Sequence, residues 1–266
     1  MRVTTRNLGR VLKCAALTVV VVFLFLGPQP YAGADDFAYE ATGSNNFGVI
    51  DLNTGVYTQI GNMGALLSGL GVAGGNVYGG IEGTSNLERV NVATGALTLV
   101  GTGNITYFDF GSTTSGLYAI DSSFRLFSIN PTNGAATLIG STGLSQIDTV
   151  GLSTNSSLLY LTNGTSLYTL NTTTGAATLV GTTGQAIGAM VLENGKLYGG
   201  NNHPNLQVYT LDPGTGAATF VSNVSGTTDT FWGLAPNPVS EPSSLLVLLT
   251  SLGVLTVLLR PRRPAL

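Results

Sequence analysis

Three aspartates occupy comparable places at the start of a recurring apolar strand pattern, where carboxylates could gather around a cation. They are Asp109 in FDFGST, Asp148 in IDTVGL and Asp229 in TDTFWGL. If the strands that follow them line a central channel, the three side chains would face one opening. Rings of oxygen ligands suit Ca²⁺, so calcium is the one cofactor we consider. The alternative is that these carboxylates accept hydrogen bonds from loop amides.

A second set of acidic residues follows another recurring strand and has aromatic residues near it in the sequence pattern. The acids are Glu40, Glu82 and Asp121, and the aromatic residues are Tyr107, Phe108 and Trp232. A polar and aromatic cleft of this kind would suit a carbohydrate ligand. The alternative is that the aromatic rings pack between neighbouring sheets.

The residues needed for other kinds of catalysis are sparse. His203 is the single histidine, and no nucleophile motif accompanies it, so we expect a loop residue rather than part of a catalytic triad. The single cysteine, Cys14, lies in the apolar N-terminal segment. A zinc site is therefore not expected.

The charge of the body of the chain excludes one class of partner. Residues 35–242 contain all 13 acidic residues but only three basic ones, Arg89, Arg125 and Lys196, which gives a net charge of −10. A protein that binds nucleic acid needs a basic surface to neutralise phosphates. We therefore expect no nucleic-acid partner.

The elements that would position these residues come from an internal repeat. Five similar segments begin at Phe47, Leu87, Leu126, Leu167 and Val208. Their shared glycines are 40, 39, 41 and 41 residues apart, namely Gly55, Gly95, Gly134, Gly175 and Gly216. Each segment predicts a β-hairpin whose turn opens with Asp or Asn and closes with glycine.

The segments between these hairpins predict two further strands per repeat. One of them contains Asn194-Gly195, a strong signal for a short hairpin. Four short strands in about 40 residues are typical of a β-propeller blade. The second of these strands repeats an aromatic residue that we expect to pack between blades: Tyr39, Tyr78, Tyr118, Tyr160 and Tyr198.

The two ends of the body predict how the ring closes. Residues 37–60 read as the last three strands of a blade, and residues 230–238 supply one more inner strand. Completing the first blade from both ends would remove free sheet edges. We therefore predict one all-β domain, residues 35–238, folded as a β-propeller of five blades. A β-solenoid is the competing fold, although its repeats are usually shorter.

The N-terminal residues 1–34 resemble a secretory signal peptide. A positive segment precedes the 13-residue apolar run Cys14–Leu26, and Ala32 and Ala34 form a small-x-small cleavage site for signal peptidase. The alternative is an uncleaved N-terminal anchor.

The C-terminal residues 239–266 combine a short polar motif, an apolar run and a basic end. Ser240, Glu241 and Pro242 precede the uncharged stretch Ser243–Leu259, which predicts a transmembrane helix of roughly 25 Å. The basic end contains Arg260, Arg262 and Arg263, which would remain cytoplasmic.

This tail resembles the PEP-CTERM sorting signal of Gram-negative bacteria, with Ser240 in place of the first proline of the motif. The resemblance implies processing by a membrane exosortase, passage through the inner membrane, and a final place in the cell envelope, on the cell surface or in the extracellular matrix. It also implies an association with exopolysaccharide. A plain C-terminal membrane anchor is the alternative.

Together, these features lead us to expect an exported, surface-sorted binding or matrix module rather than an enzyme. The alternative function is a propeller hydrolase, lactonase-like or glycan-cleaving, that uses channel carboxylates and calcium. Propellers serve both functions, so the fold does not decide between them.

Overall fold

A computed structural model describes residues 36–144, 150–154, 156–202 and 205–237. All of them belong to one compact unit, which begins at Asp36. The predicted signal peptide, residues 1–34, and the predicted sorting tail, residues 239–266, lie outside the described residues. No helix in the described part of the chain is long and apolar enough to cross a membrane.

The described residues form an all-β structure, as the sequence predicts. It contains twenty strands, most of them five or six residues long. In chain order they are β1 Phe37–Thr42, β2 Asn46–Asp51, β3 Tyr57–Asn62, β4 Gly71–Ala73, β5 Asn76–Gly80, β6 Asn86–Val90, β7 Leu97–Thr102, β8 Asp109–Thr113, β9 Gly116–Ile120, β10 Arg125–Ile129, β11 Ala136–Ser141, β12 Val150–Thr154, β13 Leu159–Asn163, β14 Ser166–Leu170, β15 Ala177–Thr182, β16 Ile187–Glu193, β17 Lys196–Asn201, β18 Gln207–Leu211, β19 Ala218–Asn223 and β20 Phe231–Pro236.

The strands pair in antiparallel groups of four that follow the sequence repeats. We name these groups repeat 1 (β20-β1-β2-β3), repeat 2 (β4–β7), repeat 3 (β8–β11), repeat 4 (β12–β15) and repeat 5 (β16–β19). Repeats 4 and 5 join into one eight-stranded sheet because their first strands, β12 and β16, pair in parallel. The other repeats are separate four-stranded sheets.

Repeat 1 is assembled from both ends of the described chain. β20 pairs antiparallel with β1, so that Glu40 lies opposite Leu234. The backbone N–H of Asn237 also donates to the carbonyl of Phe37 at 3.4 Å. This pairing agrees with the prediction that a C-terminal strand completes the first sheet.

Each repeat carries the predicted Asx turn between its third and fourth strands. In repeat 1, Oδ1 of Asp51 accepts from the backbone N–H of Asn53 at 2.9 Å, and Gly55 has a φ of 74°. In repeat 4, Asn171 and Gly175 repeat this arrangement, with a φ of 82° at the glycine. The turn therefore depends on a side-chain acceptor at its start and on positive φ at its end.

Neighbouring repeats touch where the fourth strand of one meets this turn of the next. A methyl group on the strand glycine would come within 2.0–2.1 Å of a turn carbonyl oxygen at four such junctions: Gly61 with Thr94, Gly101 with Asn133, Gly140 with Thr174 and Gly181 with Thr215. The seam between repeats 5 and 1 has a different close contact: Ser222 stands at the strand position, and a methyl group on the turn glycine Gly55 would meet the Asn223 carbonyl oxygen at 2.2 Å. We call these contacts the glycine junctions.

The first strands of the repeats lie together at the centre. Thr154 in β12 donates from Oγ1 to the carbonyl of Leu70 beside β4 at 2.9 Å, and both groups are buried. Three of the five recurring tyrosines, Tyr78, Tyr160 and Tyr198, are at most 8% exposed, whereas Tyr39 and Tyr118 are half-buried. Core packing therefore accounts for this repeated aromatic residue in repeats 2, 4 and 5.

Candidate binding cleft

The carboxylate of Asp109 links β8 to β12, the first strands of repeats 3 and 4. Asp109 is the first residue of β8 rather than a residue before the strand, and it is 4% exposed. Its Oδ2 accepts from the Leu152 N–H in β12 at 2.8 Å, and its Oδ1 accepts from the Phe110 N–H at 2.7 Å. Burial raises the pKa of Asp109 to about 8, even though both backbone hydrogen bonds favour the ionised form.

Asp229 is held in a different place, at the loop before β20. Its Oδ2 accepts from Thr42 Oγ1 at 2.6 Å and from the Ser44 N–H at 2.9 Å. Burial opposes ionisation of Asp229, but its several hydrogen bonds together lower its pKa below the ordinary value. Asp148 lies outside the described residues, and so does His203. The residues that are described contain no group of three or more potential metal ligands.

Glu40 lies inside repeat 1 and is fully buried. Neither of its carboxylate oxygens has a hydrogen-bond partner, and the nearby hydroxyl of Tyr57 is also buried without one. Burial first, and then the charge of Asp229, raise the pKa of Glu40 well above its usual range. A fully buried carboxyl group at this position is not placed to contact a ligand from solvent.

The three predicted aromatic ligand residues differ in exposure. Tyr107 is 1% exposed and packs edge-on against Phe110, with ring centroids 5.8 Å apart, so its ring belongs to the core. Phe108 is half-buried and packs edge-on against Phe124. Trp232 is half-buried and donates from Nε1 to Thr230 Oγ1 at 3.0 Å.

Glu82 and Asp121 lie beside the aromatic segment 107–108 but on separate loops. The Gly83 N–H, next to Glu82, donates to the Tyr107 carbonyl at 3.4 Å. The Phe108 N–H donates to the Ile120 carbonyl, next to Asp121. Asp121 itself is buried and bonds to Arg125, whose Nε lies 2.8 Å from Oδ2. Of the six predicted ligand residues, Glu82 and Asp121 thus lie beside the segment 107–108, whereas Glu40 and Trp232 lie in repeat 1.

A cleft of about 470 Å³ lies elsewhere, at the seam between repeats 1 and 5. Its lining combines polar and apolar residues from the Asx turn after β2 in repeat 1 and from strands β17–β19 of repeat 5 with their adjoining turns. The lining residues are Asn53, Gly195, Lys196, Leu197, Tyr198, Thr210, Leu211, Pro213 and Val221.

Asp36 is the polar centre beside this cleft. Its side chain is almost completely buried and accepts from Asn194 Nδ2 at 2.6 Å, from Lys196 Nζ at 3.0 Å and from the hydroxyl of Tyr198. Burial alone would raise the pKa of Asp36, but these three donors outweigh it and lower the pKa. The cluster fastens the start of β1 in repeat 1 to the hairpin of repeat 5.

Two further ionisable groups complete this cluster. Lys196 is 56% exposed along its side chain, and its hydrogen bond to Asp36 raises its pKa. Glu193, which lies opposite Lys196 in the β16–β17 ladder, has a buried Oε2 without a hydrogen-bond partner. Burial, followed by the charge of Asp36, raises the pKa of Glu193 to about 7.

Sequence analysis did not single out this cleft. The sequence pattern indicates a tight turn at Asn194-Gly195 and a packing residue at Tyr198, and it marks Lys196 only as one of three basic residues in the body. The available signal was the concentration of Glu193, Asn194 and Lys196 in one hairpin, within a body that has just three basic residues. Their partner Asp36 is about 160 residues away in sequence, so ring closure alone brings it near.

No protein-family model matches the sequence, and no curated protein matches it significantly. Solved structures do resemble the fold. A chain in the crystal structure of a nidogen/laminin complex matches with a TM-score of 0.51 at 13% identity, over 75% of this chain and 97% of that one. A structural genomics protein of unknown function from Bacteroides thetaiotaomicron VPI-5482 matches with a TM-score of 0.51 at 18% identity, over 75% of this chain and 62% of that one.

The class of fold follows from the strand pairing and from these neighbours. This chain has a β-propeller-like repeat fold. At such identities the likeness concerns the fold alone, so function has to be argued from the residues of this chain.

Proposed function

We propose that this chain is an exported, surface-sorted binding or matrix module built on a five-bladed β-propeller. The observation that carries the binding function is the open cleft of about 470 Å³ at the seam of repeats 1 and 5. Ligand pockets are usually concave and combine apolar walls with a few polar groups. The cleft has this composition.

The glycine junctions support the count of five blades. The same contact between a fourth strand and the next turn recurs from repeat 1 to repeat 5, and a fifth contact joins Asn223 to Gly55. Backbone hydrogen bonds also cross that seam. The Tyr57 N–H donates to the Ser225 carbonyl and the Ser225 N–H donates to the Gly55 carbonyl, both at 2.9 Å. Close backbone contacts at all five boundaries between repeats support the proposal of a five-bladed ring.

The sequences of the two ends support export and surface sorting. Signal peptidase would cleave after Ala34, and the tail would then hold the chain in the inner membrane through the helix 243–259. The motif Ser240-Glu241-Pro242 would be the recognition element for an exosortase. The described body both begins and ends at repeat 1, so both segments would leave from one sheet.

The placement of the acidic residues favours binding over catalysis. Asp36, Asp109, Asp121 and Asp229 each accept hydrogen bonds from backbone or side-chain donors within the fold. In these contacts the carboxylates have a structural role, because they satisfy hydrogen-bond donors in loops and between strands.

Export is tested by expressing the full chain in a Gram-negative host that has an exosortase. The unmodified chain should lose both ends and reach the outside of the cell. The variant Glu241→Ala should remain in the membrane fraction with its tail attached, while Glu82→Ala, a distant acid, should be sorted normally. Full-length chain in the cytoplasm would exclude the export proposal.

Binding is tested by sedimenting the full chain with polysaccharide from the extracellular matrix of that host. We expect co-sedimentation without release of reducing ends or lactone hydrolysis. Polymer cleavage that depends on added Ca²⁺ would instead favour the hydrolase, with Asp109, Asp148 and Asp229 as its candidate carboxylates.

A further inference from the structure

We infer that the seam cleft binds a neutral, hydroxyl-rich chain, and that a short oligosaccharide segment is its chemical class of ligand. This inference rests on the proposed binding function and adds the place and the chemistry of the site. None of the residues that carry it was predicted from the sequence to bind a ligand.

The charges at the cleft favour a neutral ligand. The one cationic group in its lining, Lys196, is paired with Asp36 at 3.0 Å, so the two charges offset each other. The carboxylate of Asp36 already accepts from three donors and is almost completely buried. An acidic polymer would also approach a body of net charge −10.

The polar groups of the lining suit hydroxyl groups. The side chain of Asn53 is exposed, and its Oδ1 makes only a long contact, 3.3 Å, with the Tyr198 hydroxyl. The ammonium of Lys196 has three N–H donors and uses two of them, toward Asp36 and the Tyr198 hydroxyl. Thr210 adds a hydroxyl that can both donate and accept.

The apolar part of the lining suits the C–H faces of a sugar ring. Leu197, Pro213 and Val221 line the cleft beside these polar groups. A pyranose presents C–H groups on its faces and hydroxyl groups at its rim, so this mixture of walls matches it. Tyr198 is 1% exposed, so its ring offers no stacking face to a ligand.

The position of the cleft gives the ligand a second effect. Asn53 comes from repeat 1, whereas Lys196 and Thr210 come from repeat 5. A ligand that contacts both sides would bridge the seam at which the ring closes. Because a ligand that binds only the folded state stabilises it, binding should raise the melting temperature of the whole unit.

The test measures binding and melting of the full chain with neutral gluco- and galacto-oligosaccharides and with oligouronates as the charged comparison. Asn53→Ala and Thr210→Val remove one hydrogen-bonding group each without touching the Asp36 carboxylate. Alanine is already present at the position of Asn53 in the turn of repeat 2, as Ala93, so the turn tolerates it. Thr173→Ala and Thr169→Val in repeat 4 are the matched controls, because these residues hold the positions of Asn53 and Thr210 in that repeat.

We expect a neutral oligosaccharide to bind and to raise the melting temperature, and each cleft variant to weaken binding about fivefold to tenfold, the effect of one lost hydrogen bond. The two controls should bind like the unmodified chain. Matrix binding that is equal in the cleft variants would overturn this site but leave the proposed function standing. Stronger binding of oligouronates would overturn the neutral ligand. No binding to any saccharide or to the native matrix would overturn both.

Discussion

A methyl group placed on Gly61 would lie 2.0 Å from the carbonyl oxygen of Thr94. Gly61 is in the fourth strand of repeat 1, and Thr94 is in the turn of repeat 2. The backbones of the two repeats therefore approach so closely that only hydrogen fits between them. The same contact at Gly101, Gly140 and Gly181 explains why glycine recurs at this strand position in repeats 1 to 4, whereas repeat 5 has Ser222 there.

Replacing Gly61 with alanine should destabilise the fold. The added methyl group would press on backbone rather than on a movable side chain, so we expect a loss on the order of 3 kcal/mol in the free energy of unfolding. Urea denaturation followed by tryptophan fluorescence measures it. The control is Gly116→Ala, where a methyl group would meet nothing within 4 Å. Equal effects at both positions would show that the junction does not limit the approach of the repeats.

Removing the hydroxyl group should have different effects on stability at Tyr57 and at Tyr198. The hydroxyl of Tyr57 is buried without a hydrogen-bond partner, so Tyr57→Phe should leave stability unchanged or raise it by about 1 kcal/mol. The hydroxyl of Tyr198 donates to Asp36, so Tyr198→Phe should cost about 1–3 kcal/mol. Thermal melting of both variants gives the comparison. A clear loss in Tyr57→Phe would reveal a partner for its hydroxyl, with Glu40 the first candidate.

Glu193 should make stability depend on pH. Its pKa is about 7 in the folded chain against an ordinary 4.5, because burial and then the charge of Asp36 disfavour ionisation. Because its pKa is raised in the folded state, Glu193 contributes stability that is fully present below pH 4.5 and is lost as the pH rises through about 7.

The variant Glu193→Gln should therefore match the unmodified chain at low pH and melt at a higher temperature at about pH 8. Melting curves across this range measure the difference. A constant difference between the two proteins at all pH values would mean that Glu193 does not titrate in this window. Because Asp36 has a lowered pKa, its own contribution changes at lower pH and is shared by both proteins.

The outer strands carry apolar side chains that should contribute little to stability. Leu99, Leu138, Leu179 and Phe220 share one position in the repeat and are 50–60% exposed. Repeat 1 has Gln59 at this position. Leu179→Gln should thus change the free energy of unfolding by less than about 0.5 kcal/mol, whereas Leu170→Gln, at a buried position of the same repeat, should cost about 3 kcal/mol. A large loss in Leu179→Gln would indicate that this leucine is covered in solution.

Much of the fold could be predicted because its signals are local. The Asx residue, the positive-φ glycine and the Thr/Leu/Val strand lie within about fifteen residues of one another, so each hairpin is specified by its own segment. The even spacing of Gly55, Gly95 and their equivalents then predicted sheets of equal size. The completion of repeat 1 by β20 could be predicted because the first sheet otherwise lacks an inner strand.

The candidate residues were harder to place, since burial depends on which sheets meet. The linear sequence pattern suggests that Glu40 and Tyr107 contact a ligand at the surface, but their side chains are buried in the packed interior. Asp109 could be recognised as a notable carboxylate, although its partner, the Leu152 N–H, belongs to another repeat.

The amino-acid sequence by itself determined the all-β class, the repeat and its turns, because these follow from short-range backbone preferences. The sequence also contains the two terminal segments on which the export proposal depends. Only the tertiary structure decided where a ligand could bind. Asp36 meets Asn194, Lys196 and Tyr198 because the ring closes, and contacts between residues about 160 positions apart have no signature in either segment alone.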